Sequence, residues 1–220
     1  MDGENCDYAL NYIIIGDSGV GKSNLLLSLK NEQFSSSHNQ TIGVDYKSFN
    51  MKLNSKTYKL KIWDAAGAEN FRNIVVNYYT KIACALIVYD IDNRESFENI
   101  ENWIKEFKGR SPKKALMILI GNKLDLKDDR KVTEEEGKKF AKKKGMLFFE
   151  TSAKTGKNVK EVFKKSVEFI AEKIDKNYYD LKDPNCGIFE PKFEYRIVSG
   201  DTSEKENKRP KKSSCLCCCK

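Results

Sequence analysis

Long apolar runs are absent from this sequence. No stretch of about 18 consecutive apolar residues occurs, so we expect no membrane-spanning helix. The first seven residues are acidic and polar, which is not the pattern of a signal peptide. Gly3 is not at the second position that N-myristoylation requires, so a myristoylated N-terminus is not expected either.

Histidine is nearly absent, and cysteine is scarce outside the C-terminus. The single histidine, His38, lies in a polar stretch, where a solvated loop residue is expected rather than a catalytic base or metal ligand. Four of the seven cysteines lie within the last six residues, and the other three are scattered. This distribution does not resemble a disulfide framework and fits a reducing cytosol.

The formal net charge of +8 is compatible with nucleic acid or an anionic membrane as a partner. For most of the chain, however, a lysine-rich solvated surface explains the charge. The concentrated basic run, 208–212, is confined to the C-terminal tail, so we expect no nucleic-acid partner.

The apolar pattern predicts strands that alternate with helices. A mostly apolar stretch at 10–15 and continuous apolar runs at 82–89 and 115–120 are typical of buried parallel strands, whereas 44–53 and 56–63 alternate as an antiparallel hairpin does. The predicted fold is therefore a three-layer, doubly wound α/β fold with a six-stranded, mostly parallel sheet and one antiparallel edge strand. Its expected parts are a flexible N-terminus at 1–7, a domain at 8–176 and a flexible tail at 177–220.

A glycine-rich loop at 16–23 connects the first strand to the first helix. Its sequence, Gly-Asp-Ser-Gly-Val-Gly-Lys-Ser, matches G-x-x-x-x-G-K-[ST] in the context of strand, loop and helix that a phosphate loop requires. The backbone N–H groups of such a loop surround phosphate oxygens, and the helix N-terminus adds positive potential. Lys22 is expected to reach the β- and γ-phosphates, and the hydroxyl of Ser23 suits Mg²⁺.

Two further loops predict which base is bound. Asn122-Lys123-Leu124-Asp125 follows the strand at 115–120, and Ser152-Ala153-Lys154 follows the strand at 147–149. The Asp125 carboxylate can accept hydrogen bonds from both N1 and N2 of guanine, whereas adenine offers no such pair. Asn122 is expected to donate to the guanine acceptors, and the backbone N–H of Ala153 to reach O6.

In this order and spacing, these motifs resemble the Ras superfamily of small GTPases. Residues 41–47, 59–64 and 88–97 resemble the Rab family in particular, and the resemblance covers about residues 8–176. It implies bound GTP or GDP and Mg²⁺, with Ser23, Thr41 and Asp64 as the residues that hold the metal. The nucleotide contacts that it implies are Asp17, Ser18, Gly19, Val20, Gly21, Lys22, Ser23, Asn24, Phe34, Thr41, Gly67, Asn122, Lys123, Asp125, Ser152, Ala153 and Lys154.

The resemblance also implies a switch. Thr41 and the backbone N–H of Gly67 would contact the γ-phosphate and order the neighbouring loops until hydrolysis releases them. Lys22, Thr41, Gly67 and position 68 would form the catalytic set. Most family members carry Gln at that last position, but here it is Ala68, which cannot orient the attacking water. We therefore expect slow intrinsic hydrolysis, with a GTP-binding module of negligible hydrolysis as the alternative.

The end of the chain resembles the prenylated tails of Rab proteins. A basic run precedes Cys217, Cys218 and Cys219, among which the acceptor pair is either Cys217/Cys218 or Cys218/Cys219. The expected location is the cytoplasmic face of an endomembrane. Expected partners are an exchange factor, a GTPase-activating protein, a GDP-dissociation inhibitor, the prenylation machinery, and effectors that contact 33–47 and 63–79.

Overall fold

The computed structural model describes residues 6–32, 44–65 and 75–190, which form a mixed sheet with helices on both faces. The strands are β1 (Tyr8–Ile15), β2 (Val44–Leu53), β3 (Lys56–Ala65), β4 (Cys84–Asp90), β5 (Leu116–Asn122), β6 (Leu147–Glu150) and β7 (Ile188–Phe189). The α-helices are α1 (Lys22–Leu29), α2 (Arg94–Glu98), α3 (Ile100–Lys108), α4 (Glu134–Lys144) and α5 (Val159–Asp175), and 3₁₀ helices cover Val76–Lys81 and Leu124–Asp129. Within these ranges, no helix combines the length and the apolar character needed to cross a bilayer.

The strand order is β2-β3-β1-β4-β5-β6, and β1 lies at the centre. β2 and β3 form the predicted antiparallel hairpin, while β3, β1, β4, β5 and β6 run parallel to one another. This arrangement confirms the predicted three-layer α/β fold. Because parallel strands end at the same edge, the loops that follow β1, β3, β4, β5 and β6 meet there.

Each face of the sheet carries its own apolar core. One core packs α1 and α5 against the sheet through side chains such as Leu26 and Phe163. The other contains α3, whose aromatic stripe at Trp103 and Phe107 is buried, as its helical spacing predicted. β4 and β5 are buried along their whole length because helices cover both faces.

Helix α4 begins at the capping box that its sequence predicted. The Thr133 side chain accepts from the backbone N–H of Glu136, and the Glu136 carboxylate accepts from the backbone N–H of Thr133. The hydrogen bond from Thr133, together with one from Arg94, lowers the pKa of Glu136 to about 2. The capping box therefore fixes the residue at which α4 begins.

Residues 177–190, which we call the C-terminal strap, are folded against the domain. β7 pairs antiparallel with the beginning of β1, with Ile188 opposite Leu10, and Asn11 donates to the carbonyl of Gly187 at 2.9 Å. Tyr179, Cys186 and Ile188 are buried. The strap lies at the amino end of β1, opposite the edge where the loops meet.

The prediction that the flexible tail begins at residue 177 is therefore wrong for the strap, and the sheet has seven strands rather than six. The buried residues of the strap follow neither helical nor strand periodicity, so tertiary contacts rather than a repeating pattern hold it in place. Asp7 also departs from the predicted flexible N-terminus, because its backbone and carboxylate are hydrogen-bonded to Thr57.

Gly187 offers a direct test of the strap. Its φ is 76°, and a Cβ there would lie 2.3 Å from the backbone N of Ala83. Gly145 has a similar φ of 69°, but a Cβ there would meet nothing within 4 Å. Gly187→Ala should therefore lower the free energy of unfolding by about 1–3 kcal/mol more than Gly145→Ala does. Urea denaturation measures the difference, and equal losses in the two variants would contradict the described packing of the strap.

Candidate nucleotide site

The phosphate loop connects β1 to α1 at the edge where the loops meet. Its shape requires glycine at two points. Gly16 has a φ of 141°, and a Cβ there would lie 2.2 Å from the carbonyl oxygen of Val88 on β4. Gly21 has a φ of 94°, and a Cβ there would lie 2.5 Å from Nδ2 of Asn122. The loop is thus pressed against the end of the sheet with no room for a side chain at these positions.

Lys22, the first residue of α1, folds back over the loop. Its ammonium group donates to the carbonyls of Gly16 at 2.9 Å and Asp17 at 2.7 Å, and the side chain is buried. Burial lowers the pKa of Lys22 to about 8, although the charges of Asp64 and Asp17 act in the opposite direction. A phosphate group here would supply a further counter-charge, so phosphate binding and protonation of Lys22 would favour each other.

Asp64, near the end of β3, lies beside the first turn of α1. It is 1 % exposed, and among the described residues its Oδ1 has no hydrogen-bond partner. Burial raises its pKa, and a hydrogen bond with Ser23 together with the charge of Lys22 opposes that rise. A buried carboxylate oxygen without a partner, next to a hydroxyl, is a donor set that fits Mg²⁺. The predicted metal residues Ser23 and Asp64 therefore lie together, whereas Thr41 lies outside the described residues.

Asn122, the last residue of β5, links three segments of the chain. Its Nδ2 donates to the carbonyl of Val20 in the phosphate loop at 2.8 Å. Its Oδ1 accepts from the hydroxyl of Thr151 at 3.1 Å and the backbone N–H of Ala153 at 3.2 Å. From the sequence, both Asn122 and the backbone N–H of Ala153 were predicted to bind the base. In the structure they bind each other, and Asn122 fixes the phosphate loop relative to the loop after β6.

Asp125 lies at the same edge, in the 3₁₀ helix that follows β5. Its Oδ1 accepts from the hydroxyl of Ser152 at 2.5 Å, so the two predicted base-binding loops are joined. Lys123 adopts a left-handed conformation with a φ of 68°, and its ammonium group lies 2.6 Å from the carboxylate of Asp90. Lys154 is exposed. The hydrogen bond from Ser152 thus orients the Asp125 carboxylate at the edge of the sheet that also carries the phosphate loop.

An ion pair that could not be predicted from the sequence lies next to the loop that follows β6. The Arg130 guanidinium binds the Glu150 carboxylate in a bidentate manner, at 2.5 and 2.8 Å. Glu150 is nearly buried at the end of β6, immediately before the loop that carries Ser152. The two residues are twenty positions apart, and no motif or period connects them. Only the fold brings them together.

Several predicted residues lie outside the described part of the chain: Phe34, Thr41, Gly67, Ala68, Cys217, Cys218 and Cys219. Parts of the predicted effector ranges 33–47 and 63–79 are described. Tyr46 and Trp63 have ring centroids 4.9 Å apart, and Trp63 and Tyr78 have centroids 5.0 Å apart. Tyr46 is 45 % exposed, so this aromatic group, which we call the aromatic triad, reaches the surface.

Comparison with known proteins agrees with this geometry. The Ras family model matches residues 11–172. The chain is also similar to the Ras-related protein Rab-2B of Dictyostelium discoideum, with 47% identity over 171 residues, which cover 78% of this chain and 85% of that protein. The matched region contains the phosphate loop, Asp64, Asn122 and Asp125. The chain therefore belongs to the Rab family of small GTPases, within the Ras family.

Proposed function

We propose that the chain is a GTP/GDP-dependent switch that regulates vesicle trafficking on the cytoplasmic face of an endomembrane. The observation that carries this proposal is the position of Asn122, which joins Val20 of the phosphate loop to Thr151 and Ala153. Through it, one rigid edge presents the cradle for phosphate and the acceptor for guanine together. Family membership supports GTP and GDP as the nucleotides and GTP hydrolysis as the activity.

Different residues of the site would bind the phosphates, the metal ion and the base. Lys22 holds the β- and γ-phosphates with its ammonium group, which already lies inside the loop. Ser23 and Asp64 would hold Mg²⁺, which when bound would neutralise charge on the phosphate oxygens. Asp125, oriented by Ser152, accepts from the guanine base. Each of these groups is placed by the end of a strand or the beginning of a helix, and binding therefore requires little rearrangement of them.

The switch depends on loops 33–43 and 65–79, where Thr41 and Gly67 would contact the γ-phosphate. The aromatic triad connects two parts of the chain. Tyr46 and Trp63 lie on β2 and β3, next to loop 33–43, and Tyr78 lies in the 3₁₀ helix at the end of loop 65–79. A surface of this kind can report the state of both loops to an effector. The exposed ring of Tyr46 suits a protein partner. The other expected partners are an exchange factor, an activating protein and a GDP-dissociation inhibitor.

Ala68 is expected to prolong the GTP-bound state, because no side chain at that position orients the attacking water. The alternative is a GTP-binding module with negligible hydrolysis that recruits effectors constitutively. Activating proteins of this family can supply a glutamine as well as an arginine, so stimulated hydrolysis separates the two proposals.

Attachment to the membrane would depend on prenylated cysteines among Cys217, Cys218 and Cys219. The strap holds the chain to the domain as far as residue 190, at the edge opposite the nucleotide. The remaining residues, 191–220, could extend by at most about 100 Å. The tail can therefore leave the nucleotide edge accessible to partners while the protein is anchored.

Vesicle sedimentation tests this anchoring. After treatment with prenylation machinery, the full chain should sediment with anionic vesicles, and a chain that lacks residues 204–220 should not. A control in which Cys217, Cys218 and Cys219 are replaced by Ser keeps the basic residues but should also fail to sediment stably, because charge alone gives weak attachment. Normal sedimentation of the truncated chain would contradict the proposal. Loss of RNA binding on truncation would favour a nucleic-acid partner instead.

A further inference from the structure

Asp17 places a negative charge in a loop that receives a triphosphate. Its carboxylate is turned away from the loop and toward α3. Oδ1 accepts from the indole Nε1–H of Trp103 at 2.7 Å, and Oδ2 accepts from Nδ2 of Asn99 at 2.8 Å. Both carboxylate oxygens are thus hydrogen-bonded to neutral donors, one on α3 and one at the junction of α2 and α3. Hydrogen bonds to an ionised acceptor are roughly twice as strong as those between neutral groups.

The two donors sit on a rigid part of the fold. Trp103 is 1 % exposed and belongs to the core on its face of the sheet, together with Phe107. Asn99 lies at the junction of α2 and α3, where its backbone N–H donates to the carbonyl of Glu95 and its carbonyl accepts from the N–H of Trp103. Neither donor can follow the loop if the loop moves. The contact therefore fixes the loop relative to the core.

The backbone of the same residue contacts the phosphate-binding lysine. The carbonyl of Asp17 accepts from the ammonium group of Lys22 at 2.7 Å. A rotation of this peptide would remove one of the two carbonyls that hold Lys22 in the loop. The side chain of Asp17 thus anchors a residue whose main chain orients Lys22.

We propose that Asp17 is a positioning residue that ties the phosphate loop to α3 and thereby slows the release of bound nucleotide. This inference rests on the proposed binding of GTP and GDP. The two possible roles of the carboxylate predict opposite changes in the rate of nucleotide release. If the carboxylate acted only through its charge, its removal would relieve repulsion of the phosphates and slow nucleotide release. If it acts as an anchor, its removal accelerates release.

The experiment measures the dissociation rate of a fluorescent GDP from the full chain in the presence of Mg²⁺. Asp17→Ala should accelerate release about tenfold, because two hydrogen bonds to a charged acceptor are lost. Asp17→Asn, which keeps one acceptor oxygen, should have an intermediate effect, and so should Asn99→Ala. Asp175→Ala removes an exposed carboxylate that pairs with Lys56 at the opposite edge of the sheet, and should leave the rate unchanged.

Two further measurements distinguish an anchor from a general loss of stability. Trp63 and Trp103 are the only tryptophans, so in a Trp63→Phe background the remaining indole N–H gives a single NMR resonance. That resonance should shift in Asp17→Ala and stay in place in Asp175→Ala. Trp103→Phe should accelerate release on its own, but add little to Asp17→Ala, because both changes remove the same hydrogen bond.

Unchanged or slower GDP release in Asp17→Ala would overturn the inference, and so would fully additive effects of Asp17→Ala and Trp103→Phe. An unshifted indole resonance in Asp17→Ala would overturn it too. In each of these cases the unsubstituted chain still binds GDP, so the proposed function stands. Failure of the unsubstituted chain to bind GDP would instead overturn both proposals.

Discussion

Replacement of Asp125 by Asn should lower the affinity for GDP by about 10³-fold or more. The carboxylate of Asp125 accepts a hydrogen bond from the hydroxyl of Ser152. In the proposed site it would offer acceptor oxygens to the two adjacent N–H donors of guanine. An asparagine amide would present an N–H group where an acceptor is needed, and leave a donor of the base unpaired. Xanthine carries a carbonyl in place of the exocyclic amine, so the variant should prefer xanthosine diphosphate.

Equilibrium titration with GDP and xanthosine diphosphate measures this change of preference. Asp129→Asn is the matched control, because it makes the same substitution at an exposed position of the same 3₁₀ helix. It should leave both affinities unchanged. An Asp125→Asn variant that folds normally and still prefers GDP would show that another group selects the base.

Replacement of Ala68 by Gln should accelerate intrinsic GTP hydrolysis about 10²–10³-fold, on the scale seen when one preorganised polar group is restored to an active site. Phosphoryl transfer depends on positioning and electrostatic stabilisation, and the family's glutamine orients the attacking water. Ala68 offers no hydrogen bond for this purpose. Lys22, Ser23 and Asp64 are unaffected by the substitution, so the affinity for GDP should not change.

Single-turnover hydrolysis of GTP measures the intrinsic rates of the unsubstituted chain and of Ala68→Gln. The unsubstituted chain should convert its bound GTP slowly, and addition of an activating protein that supplies its own glutamine should accelerate it. Equal intrinsic rates for the two forms would show that Ala68 does not limit hydrolysis. Absence of stimulated hydrolysis by any such activating protein would favour the alternative of a constitutively GTP-bound recruiter.

The sheet and the phosphate loop could be predicted because their determinants are local. The apolar runs that form β4 and β5 are continuous, and the hairpin of β2 and β3 alternates with a period of two. The phosphate loop combines glycines with a lysine and a serine at fixed spacing. Once the strands are parallel, the loops that follow them must meet at one edge. The location of the site follows from the fold class.

The contacts that shape the site could not be predicted because they join residues that are distant in sequence. Asp17 and Trp103 are separated by 86 positions, and no sequence motif that contains one of them predicts a contact with the other. The hydrogen bonds of Asn122 could not be predicted from the sequence for the same reason. Its identity indicated a base contact, but its position at the end of β5, opposite Val20, gives it hydrogen bonds within the protein.

The strap shows how an aperiodic segment can fold. Tyr179 and Cys186 lie in a turn-rich sequence in which apolar residues are irregularly spaced among polar ones, a pattern typical of a flexible linker. They are buried because the amino end of β1 has an unpaired edge beside the point where β4 begins, and β7 fills it. The need to satisfy the backbone hydrogen bonds of a central strand is visible only in the assembled sheet.

The central claim is that a guanine-nucleotide site lies at the carboxyl edge of the sheet. Its most direct test compares the binding of GDP and ADP to the nucleotide-free chain. Calorimetric titration in the presence of Mg²⁺ should give an affinity for GDP at least about 10³-fold higher than for ADP, because adenine leaves the Asp125 carboxylate unpaired. Removal of Mg²⁺ should weaken GDP binding, since Asp64 would then face the phosphates without a cation between them. Equal affinities for GDP and ADP, or no binding of either, would contradict the account.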